Sequence, residues 1–469
     1  MAGLFSSSPL LALFVVVALG AAIGAIRIGP LRFGAAGALF VGLTVSALHP
    51  EVVSTHMSIV QPMGLAFFVY CVGISAGATF FQDLRKQTNL LALTTIVCVV
   101  GALIALVGGR LLGLSSGLTS GLFTGALTAA PALDTATRLT GDPNAAVGYA
   151  FGYPVGVIGG ILIVTITVTR KWVGPKDTPS LAGSSLEAVS IRVSKHINTR
   201  DIDAWRDQRV RLSYLRRDGR TRVTAPGEDL LPGDHVVMVG DPESIKETAP
   251  LVGEILDHNL EDDRSDLAFE RIVVSNPDVA GRSVCDLNVT KRFGAVITRV
   301  RRGDLDLLAR DDLDLQLGDH VAVVVPTDEL DDIAEWLGDS ERRVAEVDGM
   351  AFGIGLVLGL LLGIVSFPLP GGQGFQLGAA AGPLIVGMLL GALRRTGPLV
   401  WTLPAAANLT IRQIGLMLFL AALGLNAGPQ FASLLGSPEG WRAALLAAVM
   451  VVVCCAIQAL GAKFIGLSS

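Results

Sequence analysis

Thr124, Thr128, Asp134 and Arg138 stand around Pro131 in one short stretch, with the side chains needed to hold a small charged solute. A planar guanidinium suits bidentate recognition of a carboxylate. Backbone groups freed near a proline, together with the two hydroxyls, suit a carboxylate or an ion. The stretch runs apolar from Leu118 to Ala130, breaks at Pro131, and then carries Asp134 and Arg138. An apolar run of that length reads as a re-entrant segment rather than a span. Irregular backbone at membrane depth is tolerated only inside protein or along a cavity, and ionisable groups there are costly. The candidate substrate site is therefore Thr124, Thr128, Ala129, Ala130, Pro131, Asp134 and Arg138. Two plainer readings stay open. The segment can be a spanning helix kinked at Pro131, and Asp134 and Arg138 can be a self-satisfied i,i+4 pair or lie at the outer mouth.

The elements that must position these residues are membrane helices. Of 469 residues, 51% are hydrophobic, 55 are Gly and only 16% are charged, and mean hydropathy is +0.58. Hydropathy predicts helices at 10–26, 31–48, 60–81 and 90–112, then a re-entrant hairpin at 118–138 and a helix from about 144 to 169. Further helices are expected at 350–366, 377–393, 411–431 and 441–465. The first apolar run lacks a basic region ahead of it and is read as a retained helix. Gly64-Leu-x-x-Phe68 repeats as Gly415-Leu-x-x-Phe419, Gly73-Ile-Ser-Ala-Gly77 as Gly424-Leu-Asn-Ala-Gly428, and Gly37-x-Leu-x-Val-Gly42 as Gly382-x-Leu-x-Val-Gly387. Ser75 and Asn426 take equivalent places in these motifs and join the candidate site, with helix–helix packing as their alternative role. Basic residues at Arg27, Arg32, Arg85, Lys86, Arg170 and Lys171 fall on one side if the hairpin does not cross, and Arg394, Arg395 and Lys463 on the same side. The positive-inside rule puts that side in the cytoplasm, so the two halves are inverted repeats with a site expected near the midplane. The first half continues past Gly113-Leu-Ser-Ser116 into the hairpin and a helix. The second stops at Gly466-Leu-Ser-Ser469, and by symmetry roughly 50 residues are expected to follow, the alternative being that this repeat lacks its final hairpin and helix.

Residues 173–258 and 259–346 change character. Charge is abundant, strands alternate with turns, and two units repeat at an offset of 85 residues. Val210–Arg217 matches Ala295–Arg302, and Gly233-Asp-His-Val matches Gly318-Asp-His-Val. Each unit is expected to be a small α+β module ending in a helix, near Pro242–Leu256 and Thr327–Trp336. His235 and His320 raise a metal reading, against which Gly-Asp-His before a strand is turn chemistry. Five cysteines show no metal or disulfide spacing. No Gly-x-Gly-x-x-Gly follows a strand, so no cofactor is expected. No nucleophile–base pair or metal triad marks an enzyme, and no nucleic-acid partner is expected. Val147-Gly-Tyr-Ala150 superficially resembles a selectivity filter, but it occurs once and runs into an apolar helix. A gated channel and a transporter-like membrane sensor remain as alternatives.

Thr128-x-x-Pro131-Ala-Leu133 followed by Gly148-Tyr-Ala-x-x-Tyr153-Pro-x-Gly156-x-x-Gly159 resembles the aspartate–alanine exchanger family of bacterial permeases. Members often carry Asn or Asp after the threonine, where this chain has Ala129. The duplicated middle modules resemble TrkA-C domains. The resemblance implies a polytopic α-helical protein of the bacterial inner membrane, with inverted repeats 1–172 and 347–469, a re-entrant hairpin and two cytoplasmic α+β modules. It implies an antiporter for small carboxylates, with the modules binding a small regulatory ligand. An elevator-like bundle carrying the hairpin is expected to move against a scaffold. Tyr149 and Tyr153 are expected to pack the hairpin. Gly-rich faces on the first two helices of each repeat motivate a homodimer.

Overall fold

The computed structural model describes residues 8–28, 31–32, 34–50, 57–170, 186–225, 227–256, 267–303, 305–340, 347–368, 374–397 and 399–466. The expected domain boundaries near 172, 258 and 346 lie outside these residues, as do Glu51, His56, Lys171 and the closing Leu-Ser-Ser at 467–469. The chain forms two compact units: 1–177, 350–393 and 408–469 make one, and 178–349 with 394–407 make the other.

The first unit is helical. Its helices are α1 Pro9–Ala25, α2 Ala36–Leu48, α3 Met57–Lys86, α4 Thr88–Leu112, α5 Ser116–Ala126, α6 Ala130–Thr140 and α7 Asn144–Thr169. Five helices among the described residues are long and apolar enough to cross a membrane, three of them being α3, α4 and α7. In the second half the helices, counted after two that belong to the other unit, are α10 Gly349–Ile364, α11 Gly378–Leu393, α12 Ala405–Leu435 and α13 Pro438–Ile465. At 16 and 17 residues, α1, α10 and α11 are shorter. Their rise of about 25 Å still nearly matches the hydrocarbon core.

The sequence repeat is also a repeat in space. Gly64 and Gly415 are equivalent, and they are where α3 crosses α12: an added Cβ on either would lie 2.7 Å from the carbonyl oxygen of the other. Elsewhere the halves interlock. Gly42 of α2 meets Gly424 of α12, and the equivalent Gly387 of α11 meets Gly73 of α3. Backbones approach this closely only where no side chain intervenes, which is the packing logic of small residues in membranes. The same residues alter the basis for a homodimer. Gly20 lies against Ala38 and Gly24 against Gly34, while Gly359 lies against Pro383 and Gly363 against Gly378. These Gly-rich faces are consumed within one chain, because they are the surfaces on which each repeat's first two helices pair.

The second unit is α+β. Its first module has β1 Glu187–Val193, β2 Val210–Arg217, β3 Arg220–Val223, β4 His235–Gly240, α8 Pro242–Val252 and β5 Gly253–Leu256. The helix expected to reach Leu256 stops at Val252, because the chain turns extended and pairs Gly253–Leu256 with β1. The second module has β6 Leu267–Val273, β7 Val296–Arg302, β8 Leu305–Leu308, β9 His320–Pro326 and α9 Leu330–Leu337. Sheet orders are β5-β1-β4-β2-β3 and β6-β9-β7-β8. In both, the first strand pairs with the strand that follows Gly-Asp, β4 or β9, which in turn pairs with the second, so the 85-residue duplication is one topology used twice, with β5 added at the edge of the first sheet. One face of each sheet buries its own core, Ile191, Leu212 and Met238 in the first and Ile272, Ile297 and Val323 in the second. On the other face Tyr214, Val237 and Val239 meet Leu267, Val296 and Val324, and Tyr214 stands edge-on to Phe269 at 5.0 Å.

Candidate substrate site in the helical hairpin

The segment at 116–140 folds as a re-entrant hairpin. Ser115 caps α5, its hydroxyl accepting from the Leu118 N–H at 3.1 Å. The same hydroxyl donates to Asp142 Oδ2 at 3.0 Å. Asp142 Oδ1 in turn accepts from the Asn144 N–H at 2.9 Å, opening α7. The two ends of the excursion therefore return to one level. Each arm has 11 residues, a rise of about 16 Å, or roughly half the hydrocarbon thickness. The deep arm α5 lies directly on α7. Gly121 meets the backbone of Ala145 and Tyr149, Gly125 that of Tyr149 and Tyr153, and Gly152 that of Leu122 and Ala126. The glycines that read as motif residues are thus the seat of the hairpin.

At the break, the Thr128 N–H donates to Gly125 O at 2.8 Å and the Ala129 N–H to Thr124 O at 2.8 Å. Thr128 is left at φ +52°. That left-handed conformation costs a β-branched residue about 1–2 kcal/mol, a kind of strain that collects at functional sites. Thr124 is buried, and its hydroxyl donates to Gly121 O at 3.0 Å. Ala129 precedes α6, and Ala130 and Pro131 open it. Proline there sacrifices no helical hydrogen bond.

Asp134 and Arg138 lie further along α6, toward the base of the hairpin. Arg138 Nε donates to Asp134 Oδ1 at 3.3 Å, and their side chains are 43% and 21% exposed. The i,i+4 pair considered as the plainer reading is present, and it reaches further. Asp134 Oδ2 accepts from the Ala379 N–H at 3.1 Å, capping the start of α11 in the other repeat. Gly378 sits beneath both groups at φ +75°. Beyond its Nε, Arg138 has no described partner. From Ala130 to Arg138 is about 12 Å along α6, so the break and the arginine mark two levels of one hairpin.

Ser75 and Asn426 are not brought together. Ser75 Oγ reaches Asn408 Oδ1 at 3.1 Å and Cys71 O at 3.1 Å. Asn426 Nδ2 donates to Gln61 Oε1 at 3.0 Å. Each lies 11 residues beyond its own crossing glycine, on antiparallel helices, so the two stand about 30 Å apart. They hold the two ends of the α3–α12 crossing. Sequence reasoning missed their partners Asn408 and Gln61. The available signal was a polar residue inside an apolar helix, one helical stretch before each repeated glycine motif. It also missed the Tyr149 hydroxyl, which is fully buried with no hydrogen-bond partner among the described residues. Buried polar atoms rarely stay orphaned. The Tyr149 ring stacks on Tyr153 at 5.4 Å and stands edge-on to Phe419 of α12 at 6.3 Å.

In the second unit, the repeated Gly-Asp-His is turn chemistry. Asp234 accepts from Arg217 Nε and Nη2 at 2.9 and 2.6 Å and from the Leu231 N–H at 2.7 Å. Asp319 accepts from Arg302 Nε and Nη2 at 2.8 and 2.7 Å and from the Gln316 N–H at 2.8 Å. Burial alone would push the Asp234 carboxyl up. The Arg217 hydrogen bonds, the Leu231 amide and the neighbouring guanidinium charges outweigh it and hold the group below the usual carboxylate range. His235 is pushed down by burial and by Arg192 and Arg216.

Residues 12–169 and 351–468 match the family model Asp-Al_Ex, described as a predicted permease membrane region, and residues 268–338 match the TrkA-C domain. An uncharacterized transporter of Cutibacterium acnes is 44% identical over 95% of this chain and 84% of its own length. Uncharacterized transporters of Geobacter sulfurreducens and Symbiobacterium thermophilum are 39% and 38% identical, covering 99% and 97% of this chain and 88% and 86% of theirs. No solved structure matches.

Proposed function

The chain belongs to the Asp-Al_Ex permease family and is a multi-pass membrane transporter, and on that premise we propose that it exchanges small carboxylates such as aspartate and alanine by alternating access. The observation that carries this reading is the hairpin, whose two arms are each about half as long as the hydrocarbon core is thick and meet at a strained break at Thr128. Inverted-repeat transporters bind at a midplane interface between repeats. Thr124, Thr128 and the backbone through Pro131 then form the deep end of the substrate path. Arg138 is the carboxylate clamp at its mouth, held in place by Asp134 and offering its terminal nitrogens.

The moving body is α4–α7 with α13, and the scaffold is the interlocked α1–α3 with α10–α12. Asp134 to Ala379, and Phe151 to Phe431 with ring centroids 4.5 Å apart, lie on the seam between them. The basic ends of the loops support a cytoplasmic location of the α+β modules at a bacterial inner membrane. The ion pairs of Arg394 and Arg395 with Asp314 and Asp278 support this, since they keep the α11–α12 loop with the modules. A small ligand on the modules biases one state over the other, which requires different affinities for the two.

The test is counterflow in proteoliposomes preloaded with L-aspartate, L-alanine or succinate, following labelled L-aspartate. Uptake is expected only into vesicles preloaded with a carboxylate substrate, and Arg138→Ala is expected to abolish it while eluting as the parent protein does. Equal uptake into empty vesicles refutes exchange, and full uptake by the variant refutes the clamp.

A further inference from the structure

The second module has a basic cavity of about 440 Å³ opening between its sheet and the start of α12. It arises from strand alternation. Val321 and Val323 of β9 face the module's core, so His320 and Ala322 face the other way. Pairing puts Arg301 opposite His320, and Arg271 opposite Ala322, on that same face. Toward the first module this face is apolar, with Val296 and Val324. Toward Pro404–Ala406 it is cationic. Arg302 also lines the cavity, but it is neutralised by the buried Asp319. Asp306, opposite Arg301 across β7–β8, forms no described ion pair with it. Arg271 has no described ion pair either, and Arg301 gives only a weak 3.4 Å hydrogen bond to Gly303 O. Two guanidinium groups therefore border one volume without an ion pair among the described residues, the lining Asp319 being engaged by Arg302.

We propose that this cavity binds a phosphate-bearing anion, which Arg271 and Arg301 clamp against the start of α12. Its volume falls within the range of small-molecule sites, and paired arginines suit bidentate contact with phosphate oxygens. The wall contributed by Pro404–Ala406 is already clasped to the module. Arg394 pairs with Asp314, and Arg395 reaches Asp278 Oδ1 at 2.7 Å and Pro277 O at 3.1 Å. An anion in the cavity thus acts on the first turn of the helix that carries Asn408 and the crossing Gly415. This deepens the regulatory part of the proposed function, and the test reads binding rather than flux. Loss of exchange and loss of anion binding are separable results.

The full chain in phosphatidylcholine nanodiscs is titrated with pyrophosphate by calorimetry, with amide hydrogen exchange followed at 405–408. Binding is expected, with slower exchange there. Arg271→Gln with Arg301→Gln should weaken it by roughly tenfold or more, and Arg271→Lys with Arg301→Lys should recover most of it. Discs containing phosphatidylglycerol separate the sources. If a lipid headgroup is the natural ligand, they weaken pyrophosphate binding in the parent protein and not in the glutamine variant. Equal affinity in parent and glutamine variant overturns the proposal, as does failure of pyrophosphate and phosphatidylglycerol alike to bind.

Discussion

Gly378→Ala tests whether the two repeats are joined at Asp134. Gly378 holds φ +75°, and a Cβ there would run into Asp134 Oδ2. The left-handed conformation costs alanine about 1–2 kcal/mol. Displacing Asp134 costs the cap it gives the Ala379 N–H, about 1 kcal/mol more. The expected loss is about 2–3 kcal/mol, read from reversible unfolding of the purified protein in mixed micelles. Asp134→Ala alone loses the cap and the partly exposed Arg138 pair, about 1–1.5 kcal/mol. In the double variant the obstacle is gone and the cap is lost only once. The double loss should therefore fall short of the sum of the singles by about 1 kcal/mol. Losses that add to within about 0.3 kcal/mol would refute the reasoning, because the carboxylate would then not be what the methyl group meets.

Arg217→Ala and Arg302→Ala should destabilise their modules by similar amounts, about 2–4 kcal/mol each, because each leaves a nearly buried aspartate unpaired. Chaotrope unfolding checks this, and a large difference between them would deny the structural equivalence of the two turns. His235, whose imidazole is pushed down in the fold, binds fewer protons folded than unfolded just below its ordinary value near 6.5. Stability should therefore rise with pH through that window. His235→Gln should flatten the thermal-unfolding profile there, and an unchanged slope would remove His235 as its source. Asp234, held low, should contribute stability that disappears only as pH falls below about 4.

The helices and both inverted repeats were legible because apolar length and glycine spacing are local properties of the chain. The hairpin was legible for a similar reason: Pro131, Asp134 and Arg138 cannot continue an apolar span. Partnership was not legible. Nothing in the sequence says that Asp134 caps a helix 245 residues later, or that Ser75 pairs with Asn408 rather than sharing a site with Asn426. Those contacts depend on how helices cross, and spacing within one helix carries no record of that. The Gly-rich faces misled in the same way, since a face able to receive a neighbour does not name it. Gly253–Leu256 reads as the tail of a helix because its apolar residues suit either state, and β1 as a neighbour decides the matter.

The interlocking of the halves has a consequence for biosynthesis. Gly73 waits for Gly387 and Gly42 for Gly424, and both α+β modules are translated in between. At ribosomal speeds that interval is roughly 15 to 60 s. Throughout it, the early helices sit in the bilayer with glycine-lined faces open, able to receive any small-residue helix that diffuses past. Insertion of this protein is thus a held intermediate completed late, and its yield should depend more on how fast the modules are made and fold than on the hydrophobicity of the helices on either side.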